Sequence, residues 1–202
     1  MMPNVLSHDS PRVCEAVQEA LETGKTLIFP TDTIYGIGGN PWDTRSLDRI
    51  RAIKERPSDQ PFTLHLPGLS QIERYANLDP RLRSIAEALL PGPYTLLLPA
   101  AQSAPPSSVQ DSTIGVRVPD HPFFRQTLAS LDRPIFGTSV NRHGQPPLCE
   151  INAIIDRFAM IDLIVTGPVG AGPSAILDLT EAEPRLVRGE LPRHVRALLG
   201  EE

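Results

Sequence analysis

Polar side chains at every second position are the first candidates for chemistry in this sequence. Thr31, Thr33 and Tyr35 alternate within a glycine-rich segment, so in an extended chain they point the same way. Lys54 and Arg56 are also two residues apart. They point the same way if their helix unwinds before the next proline, because a proline favours extended backbone in the residue preceding it. Hydroxyls and flexible backbone beside cations indicate a site for phosphate or carboxylate groups.

Ser139 and Asn141 form a further pair with this spacing, and three single residues join the set. Arg117 and His65 stand opposite apolar neighbours in predicted strands, and Arg188 alternates with a valine. Each has a structural explanation when taken alone, because a strand arginine usually faces solvent and Ser-x-Asn before a glycine usually forms a turn. Together, four cations and several hydroxyls beside glycine or proline breaks favour an anion-binding site.

Three familiar catalytic motifs are not found. Gly24-Lys25-Thr26 resembles the end of a Walker A loop, but Glu19 occupies the position of its first glycine and the motif precedes a strand. Gly36-Ile37-Gly38 begins a dinucleotide fingerprint whose third glycine is replaced by Pro41. No serine lies in a G-x-S-x-G elbow, so a Ser/His/Asp triad has no support.

The elements that must carry these residues alternate between helix and strand. An apolar run at 27–29 has the length of a buried strand, and a helix ending near Lys54 follows the glycine-rich loop. Several strands lie too close together for crossover helices, so the pattern predicts an α/β fold with a mixed sheet. Further helices are predicted near 10–24, 70–76, 79–89, 120–131, 149–159 and 191–199, and further strands near 62–66, 94–98, 114–118, 134–138, 162–166, 174–179 and 185–188.

Residues 101–112 lack periodicity. They are rich in serine, proline and alanine, and we expect a mobile loop or lid there. No internal repeat, low-complexity tract or linker divides the sequence. We therefore expect a single domain over residues 1–202 with no second domain.

The composition is that of a soluble globular protein. Of 202 residues, 40% are hydrophobic and 21% charged, and the net charge of −5 argues against coating nucleic acid through bulk charge. The two cysteines and five histidines lack metal-ligand spacing, so no protein-bound metal is expected. Without a signal-like N-terminus or an apolar run of about 18 residues, we expect a cytoplasmic protein with no membrane segment.

Seven segments, in order along the chain, resemble the signature of the YrdC/TsaC family, the threonylcarbamoyl-AMP synthases. They are PTDTIYGIG at 30–38, IKERP at 53–57, LPGPYT at 90–95, GVRVP at 115–119, TSVN at 138–141, SAILD at 174–178 and VRG at 187–189. The resemblance covers about residues 10–190 and is closest to the short, single-domain form. It implies the family's twisted open α/β sheet with flanking helices and a concave basic pocket.

The resemblance implies a nucleotidyltransferase of the EC 2.7.7 class. Such an enzyme joins L-threonine, bicarbonate and ATP into threonylcarbamoyl-AMP and releases pyrophosphate, for threonylcarbamoyl modification of adenosine 37 in tRNA. The implied partners are ATP, L-threonine, bicarbonate and a threonylcarbamoyl transferase complex, with tRNA as a further candidate. Mg²⁺ is expected to be carried by ATP with few protein ligands.

The resemblance also assigns site residues. The core polar tetrad, expected to be catalytic, is matched by Lys54, Arg56, Ser139 and Asn141. Threonine-side and carbamate-side positions are matched by Thr33, His65, Arg117 and Ser174. ATP-side positions are matched by Arg56, Gln60, Thr113, Ser139 and Arg188. We expect Lys54 and Arg56 to contact carbamate and phosphate oxygens, and Arg117 to contact the threonine carboxylate.

Three departures from the family pattern affect the expected ATP contacts. Gln60 stands where some members have asparagine. Arg142-His143 replaces a small or apolar pair after the Ser-x-Asn motif. Pro147 occupies the position of a nucleotide-contacting serine in long-form members.

Two other functions remain open at this point. A basic concavity could hold tRNA or rRNA without catalysis, which predicts tight, salt-sensitive RNA binding, although the acidic net charge speaks against it. A carbamoyl-adenylate-forming domain is the second alternative, because YrdC-like domains also occur in carbamoyltransferases that start from carbamoyl phosphate. Those proteins usually carry additional domains.

Overall fold

Eleven β-strands form one mixed sheet in the computed structural model, which describes residues 3–142 and 144–199. They are β1 Asn4–Ser7, β2 Leu27–Phe29, β3 Gly36–Gly39, β4 Thr63–His65, β5 Tyr94–Pro99, β6 Val109–Gln110, β7 Thr113–Arg117, β8 Ile135–Ser139, β9 Leu163–Thr166, β10 Ala175–Asp178 and β11 Arg185–Arg188. Across the sheet the order is β1-β9-β2-β3-β8-β4-β7-β5-β10-β11, with β6 beside β7. Because β5 pairs parallel with β10 and antiparallel with β7, the prediction of a mixed sheet is confirmed.

Seven short α-helices of the described chain flank the sheet. They are α1 Val13–Glu22, α2 Thr44–Lys54, α3 Ile72–Tyr75, α4 Pro80–Leu89, α5 Ala129–Leu131, α6 Ile151–Arg157 and α7 Arg193–Leu198. A π-helical segment, Phe123–Leu128, leads into α5. Of these helices, none combines the length and the apolar character that crossing a membrane requires.

Some of the helix ends follow local sequence signals. Gly24 follows α1 at a φ of +68°, and Asp79 caps α4 by accepting the N–H of Leu82 at 2.8 Å. The helix predicted from residue 10 begins later, at Val13, so Ser10 does not cap it. The Ser10 hydroxyl instead accepts the N–H of Arg12 at 3.3 Å, within the turn that precedes the helix.

The first half of the sheet is covered on both faces. In β2, Leu27 and Phe29 pack with α1 and the π-helical segment, whereas Ile28 packs with α2 and α6. Successive strand residues point to opposite faces, so burial on both sides requires an uninterrupted apolar run. This explains why the run at 27–29 could be recognised as a strand.

The second half of the sheet is covered differently. In β4, β5 and β7, Leu64, Leu96 and Val116 belong to a core that includes α3 and α4. The alternate residues of the same strands, such as Thr95 and Arg117, line a cavity instead. The described helices contribute no residue to the lining of that cavity, so its walls are strands and loops.

Three observed strands, β1, β3 and β6, were not predicted. Strand β3 consists of Gly36-Ile37-Gly38-Gly39, a composition that ordinarily indicates a loop. Its glycines have a steric reason, because a β-carbon on Gly38 would overlap the backbone carbonyl oxygen of Phe136 in β8. Close approach of two strands therefore selects glycine at this position.

We expect Gly38→Ala to destabilise the protein by about 3 kcal/mol or more, because the obstructing atom is backbone and cannot rotate away. The free energy of unfolding from urea titration measures this. Gly68→Ala is the matched control, since a β-carbon at Gly68 meets nothing within 4 Å. Equal stability of the two variants would contradict the steric explanation.

Residues 101–112, expected to form a mobile loop or lid, pack against the rest of the chain in the structure. The segment contains a 3₁₀ turn, Pro106–Ser108, and the strand β6, which pairs with β7. The carbonyl of Ser107 accepts the N–H of Phe62 at 2.9 Å, and its hydroxyl donates to the carbonyl of Pro41 at 2.9 Å. These contacts lie far apart in sequence, so local composition carries no sign of them.

Candidate active site

A cavity of about 560 Å³ lies over the second half of the sheet. This volume is typical of small-molecule sites. Eight of the eleven predicted site residues line it: Arg56, Gln60, His65, Arg117, Ser139, Asn141, Ser174 and Arg188. The other three, Lys54, Thr33 and Thr113, are not among its lining residues.

Lys54 is buried behind the cavity wall and donates hydrogen bonds to the loop that carries Ser139 and Asn141. Its Nζ donates to the carbonyl oxygens of Ser139 at 2.5 Å and Asn141 at 2.8 Å, and to Oδ1 of Asn141 at 2.6 Å. The Ser139 hydroxyl donates to the same Oδ1 at 2.7 Å. An ammonium group has three donors, so those of Lys54 are all used in positioning Ser139 and Asn141.

Burial, followed by the charge of Arg56, lowers the pKa of Lys54 to about 7. We expect the ¹³Cε signal of Lys54 to titrate near that pH, which NMR of lysine-labelled protein can measure. Lys25 and Lys54 are the two lysines of the sequence, so surface Lys25 supplies the reference signal. Deprotonation leaves the Lys54 amine with two donors for three acceptors. Bound anions should raise the pH midpoint of the Lys54 titration. A Lys54 signal constant between about pH 6 and pH 9 would contradict this expectation.

Arg56 presents a positive charge that no carboxylate of the described residues neutralises. Its guanidinium lies 5.1 Å from the centre of the Phe62 ring and donates through Nη2 to the carbonyl of Pro61 at 2.8 Å. Burial lowers the pKa of Arg56, with a smaller contribution from Arg51, but arginine stays charged at neutral pH. The side chain is thus prepositioned for an anionic group.

Arg117 differs from Arg56 because a carboxylate, that of Asp32, already pairs with it. Its Nη2 lies 2.5 Å from Oδ1 of Asp32, and only 6% and 12% of the two side chains are exposed. Burial lowers the pKa of Arg117, and Asp32 opposes that shift. His65 stands beside Arg117 in register on the neighbouring strand. Burial, followed by the charge of Arg117, lowers the pKa of His65 to about 3, so its ring is neutral at pH 7.

Ser174 connects two parts of the cavity. Its carbonyl accepts Nη2 of Arg188 at 2.9 Å, and its hydroxyl lies 2.9 Å from that of Thr95. Burial lowers the pKa of Arg188. Ser174 therefore fixes Arg188 against the strand that carries Thr95.

Comparison with known proteins places this arrangement in a family. The profile of Sua5/YciO/YrdC proteins, described as "Telomere recombination", matches residues 19–189. The chain belongs to the Sua5/YciO/YrdC family. A curated relative from Pyrococcus abyssi, named threonylcarbamoyl-AMP synthase, is 33% identical over 189 residues, covering 90% of this chain and 55% of that protein. A relative of the same name from Chromohalobacter salexigens is 32% identical over 182 residues, covering 88% and 98%.

Two solved structures of the Sua5/YciO/YrdC family match the fold. Pyrococcus abyssi Sua5 complexed with L-threonine has a TM-score of 0.88 and 30% identity, covering 100% of this chain and 62% of that one. Escherichia coli YciO has a TM-score of 0.85 and 27% identity, covering 98% of each chain. The twisted open sheet with flanking helices is thereby confirmed. The present chain spans little more than half the length of the Pyrococcus relative.

Besides Lys54, two positions expected from the Sua5/YciO/YrdC resemblance do not line the cavity. Thr33 lies behind Thr31, whose hydroxyl is 3.0 Å from that of Thr33 and donates to the carbonyl of Ile34 at 2.6 Å. Thr113 begins β7, where its hydroxyl is 3.5 Å from the carbonyl of Asp111. Thr31 lines the cavity in place of Thr33.

Sequence reasoning missed several lining hydroxyls of this Sua5/YciO/YrdC site. Thr95 and Thr138 lie within the recognised segments LPGPYT and TSVN, but no spacing rule singles them out. Of the departures from the family pattern, Gln60 and Pro147 line the cavity. Arg142 is exposed and lies 3.5 Å from Glu55, whereas His143 is outside the described residues.

Proposed function

We propose that this protein is a threonylcarbamoyl-AMP synthase, which consumes ATP, L-threonine and bicarbonate and releases pyrophosphate. The observation that carries the proposal is the convergence of three arginines, Arg56, Arg117 and Arg188, on one cavity. Carbamate and ATP are both anionic, so their reaction requires cations that offset their repulsion. The names of the relatives and the L-threonine complex of Pyrococcus abyssi Sua5 support the choice of substrates.

The proposed reaction has two steps that follow the dehydration of bicarbonate. Bicarbonate takes up a proton and loses water to give CO₂. The threonine amine, as the free base, forms a bond to the carbon of that CO₂ and releases a proton, which gives a carbamate. A carbamate oxygen then attacks the α-phosphorus of ATP, and the bond from that phosphorus to pyrophosphate breaks. The carbamate is already ionised, so the second step requires no strong general base.

Different residues of the site are proposed to contact different substrates. Arg56 stabilises charge on the transferring phosphate, together with Ser139 and Asn141, which Lys54 holds from behind. Arg117 receives the threonine carboxylate and Arg188 the nucleotide. Held in place before reaction, these donors need no reorganisation as negative charge develops.

Mg²⁺ is proposed to arrive with ATP. Within the described residues, no group of three or more His, Cys, Asp or Glu side chains could hold a metal ion. The cavity lining offers hydroxyls, amides and guanidinium groups in place of carboxylates. Mg²⁺ prefers phosphate oxygens and water, so coordination by the triphosphate fits this donor set.

The proposed cellular role follows from the product. Threonylcarbamoyl-AMP would pass, in the cytoplasm, to a threonylcarbamoyl transferase complex that modifies adenosine 37 of tRNA. The chain is proposed to act as a single domain, and contact with tRNA is an outcome for experiment.

Product identification by mass spectrometry tests the proposal. The protein is incubated with ATP, bicarbonate and either L-threonine or carbamoyl phosphate. Threonylcarbamoyl-AMP formed only with threonine is expected. Carbamoyl-AMP would establish the carbamoyl-phosphate activity instead, whereas no adenylate together with salt-sensitive tRNA binding would establish an RNA-binding module.

A further inference from the structure

The three arginines that line the cavity differ in how their charge is balanced. Among the described residues, neither Arg56 nor Arg188 has a carboxylate within 4.0 Å, whereas Arg117 pairs with Asp32 at 2.5 Å. The lining itself includes no aspartate or glutamate in the described chain. Asp32 is therefore a single negative charge placed behind one of three positive charges.

The contact between Asp32 and Arg117 leaves both groups partly unpaired. Only Oδ1 of Asp32 and Nη2 of Arg117 meet, while Oδ2 of Asp32 and Nε of Arg117 are buried with no hydrogen-bond partner among the described residues. Buried polar atoms usually have a hydrogen-bond partner, so these two atoms are suited to a further group, such as water or a ligand. The single contact leaves the remainder of the guanidinium for another acceptor.

The backbone around Asp32 is fixed on its far side. A β-carbon on Gly170 would lie 2.6 Å from the carbonyl oxygen of Asp32 and 3.0 Å from that of Thr33. The loop between β9 and β10 thus packs directly on the loop that carries Asp32. The backbone that carries Asp32 therefore has little room to shift toward Gly170.

Charge balance decides which ligands such a site accepts. A buried arginine without a partner attracts every anion, including bicarbonate, phosphate and the triphosphate of ATP. The Arg117–Asp32 pair is neutral overall but strongly dipolar, and a free amino acid is likewise a neutral zwitterion. The two unpaired arginines remain suited to the multiply charged nucleotide.

We propose that Asp32 is a specificity-determining residue that makes the Arg117 end of the cavity select a zwitterionic amino acid over a simple anion. The proposal rests on the proposed function, which makes that amino acid threonine. Arg117 holds the carboxylate, and Asp32 removes the net charge that would also draw in anions.

The test compares L-threonine with 3-hydroxybutyrate, which has a hydrogen in place of the amino group. Dissociation constants are measured by calorimetry without ATP. We expect Asp32→Asn to lower the ratio of the 3-hydroxybutyrate constant to the threonine constant by at least about tenfold, mainly through tighter binding of 3-hydroxybutyrate. An unchanged ratio would overturn the proposal.

Two further variants make the result specific. Asp132→Asn removes the same charge from a surface pair with Arg74 at 2.9 Å, and its ratio should equal that of the wild type. Asp32→Glu keeps the charge, so its ratio should stay within about threefold of the wild type. Loss of selectivity in Asp32→Glu would overturn the proposal even if Asp32→Asn does not fold. A wild-type protein that binds no threonine would refute the proposed function itself.

Discussion

Replacing Arg56 by alanine is expected to lower kcat/KM for threonine-dependent pyrophosphate release by about a thousandfold. Arg56 lines the cavity, has no carboxylate partner among the described residues and is fixed over Phe62. In the proposed reaction, its charge would therefore be available where negative charge accumulates between carbamate and phosphate. A coupled pyrophosphate assay measures the loss.

Arg51 provides a matched control for this experiment. It also lies over the Phe62 ring, at 5.3 Å, but it pairs with Asp48 and does not line the cavity. Arg51→Ala should retain activity within about threefold, because it removes the same charge and stacking outside the site. Equal losses in both variants would show that Arg56 acts through Phe62 packing and not on substrate.

The second large effect is expected from Lys54→Ala, with a loss of about a hundredfold or more in kcat/KM. The substitution removes three hydrogen bonds from the loop that presents Ser139 and Asn141. Side chains placed about 1 Å from their productive positions lose much of their catalytic effect. The pyrophosphate assay again measures the change, with circular dichroism to show that the variant is folded.

Lys25→Ala is the control for Lys54, because Lys25 is the other lysine and pairs with Glu19 at 2.5 Å on the surface. It should keep full activity, since exposed ion pairs contribute little. A folded Lys54→Ala protein with wild-type turnover would exclude a positioning role for Lys54.

Much of the fold was predictable from periodicity, and the failures have physical causes. Strands with apolar residues facing a core, such as β5 and β7, were recognisable because burial selects those residues. Strand β3 was missed because the close approach of Phe136 selects glycine, which sequence rules associate with loops. The packing of residues 101–112 depends on partners such as Pro41 and Phe62, which are distant in sequence.

Less of the candidate site than of the fold could be predicted from the sequence. Alternation indicates the side from which a side chain leaves the backbone, and it grouped Lys54 with Arg56 and Ser139 with Asn141. It does not indicate where a long side chain ends. Lys54 thus points to backbone carbonyls behind the cavity wall, and Arg117 meets a carboxylate, Asp32, that no spacing rule identifies.

The bare face of the sheet beside β4, β5 and β7 has a thermodynamic consequence. Around β2, helices pack on both faces of the sheet, but here nucleotide and amino acid would themselves be the third layer. Ligands that bind only the folded state stabilise it in proportion to the logarithm of their concentration, by about 2.7 kcal/mol at a hundred times the dissociation constant. The melting temperature of this protein would then report how much ATP and threonine surround it.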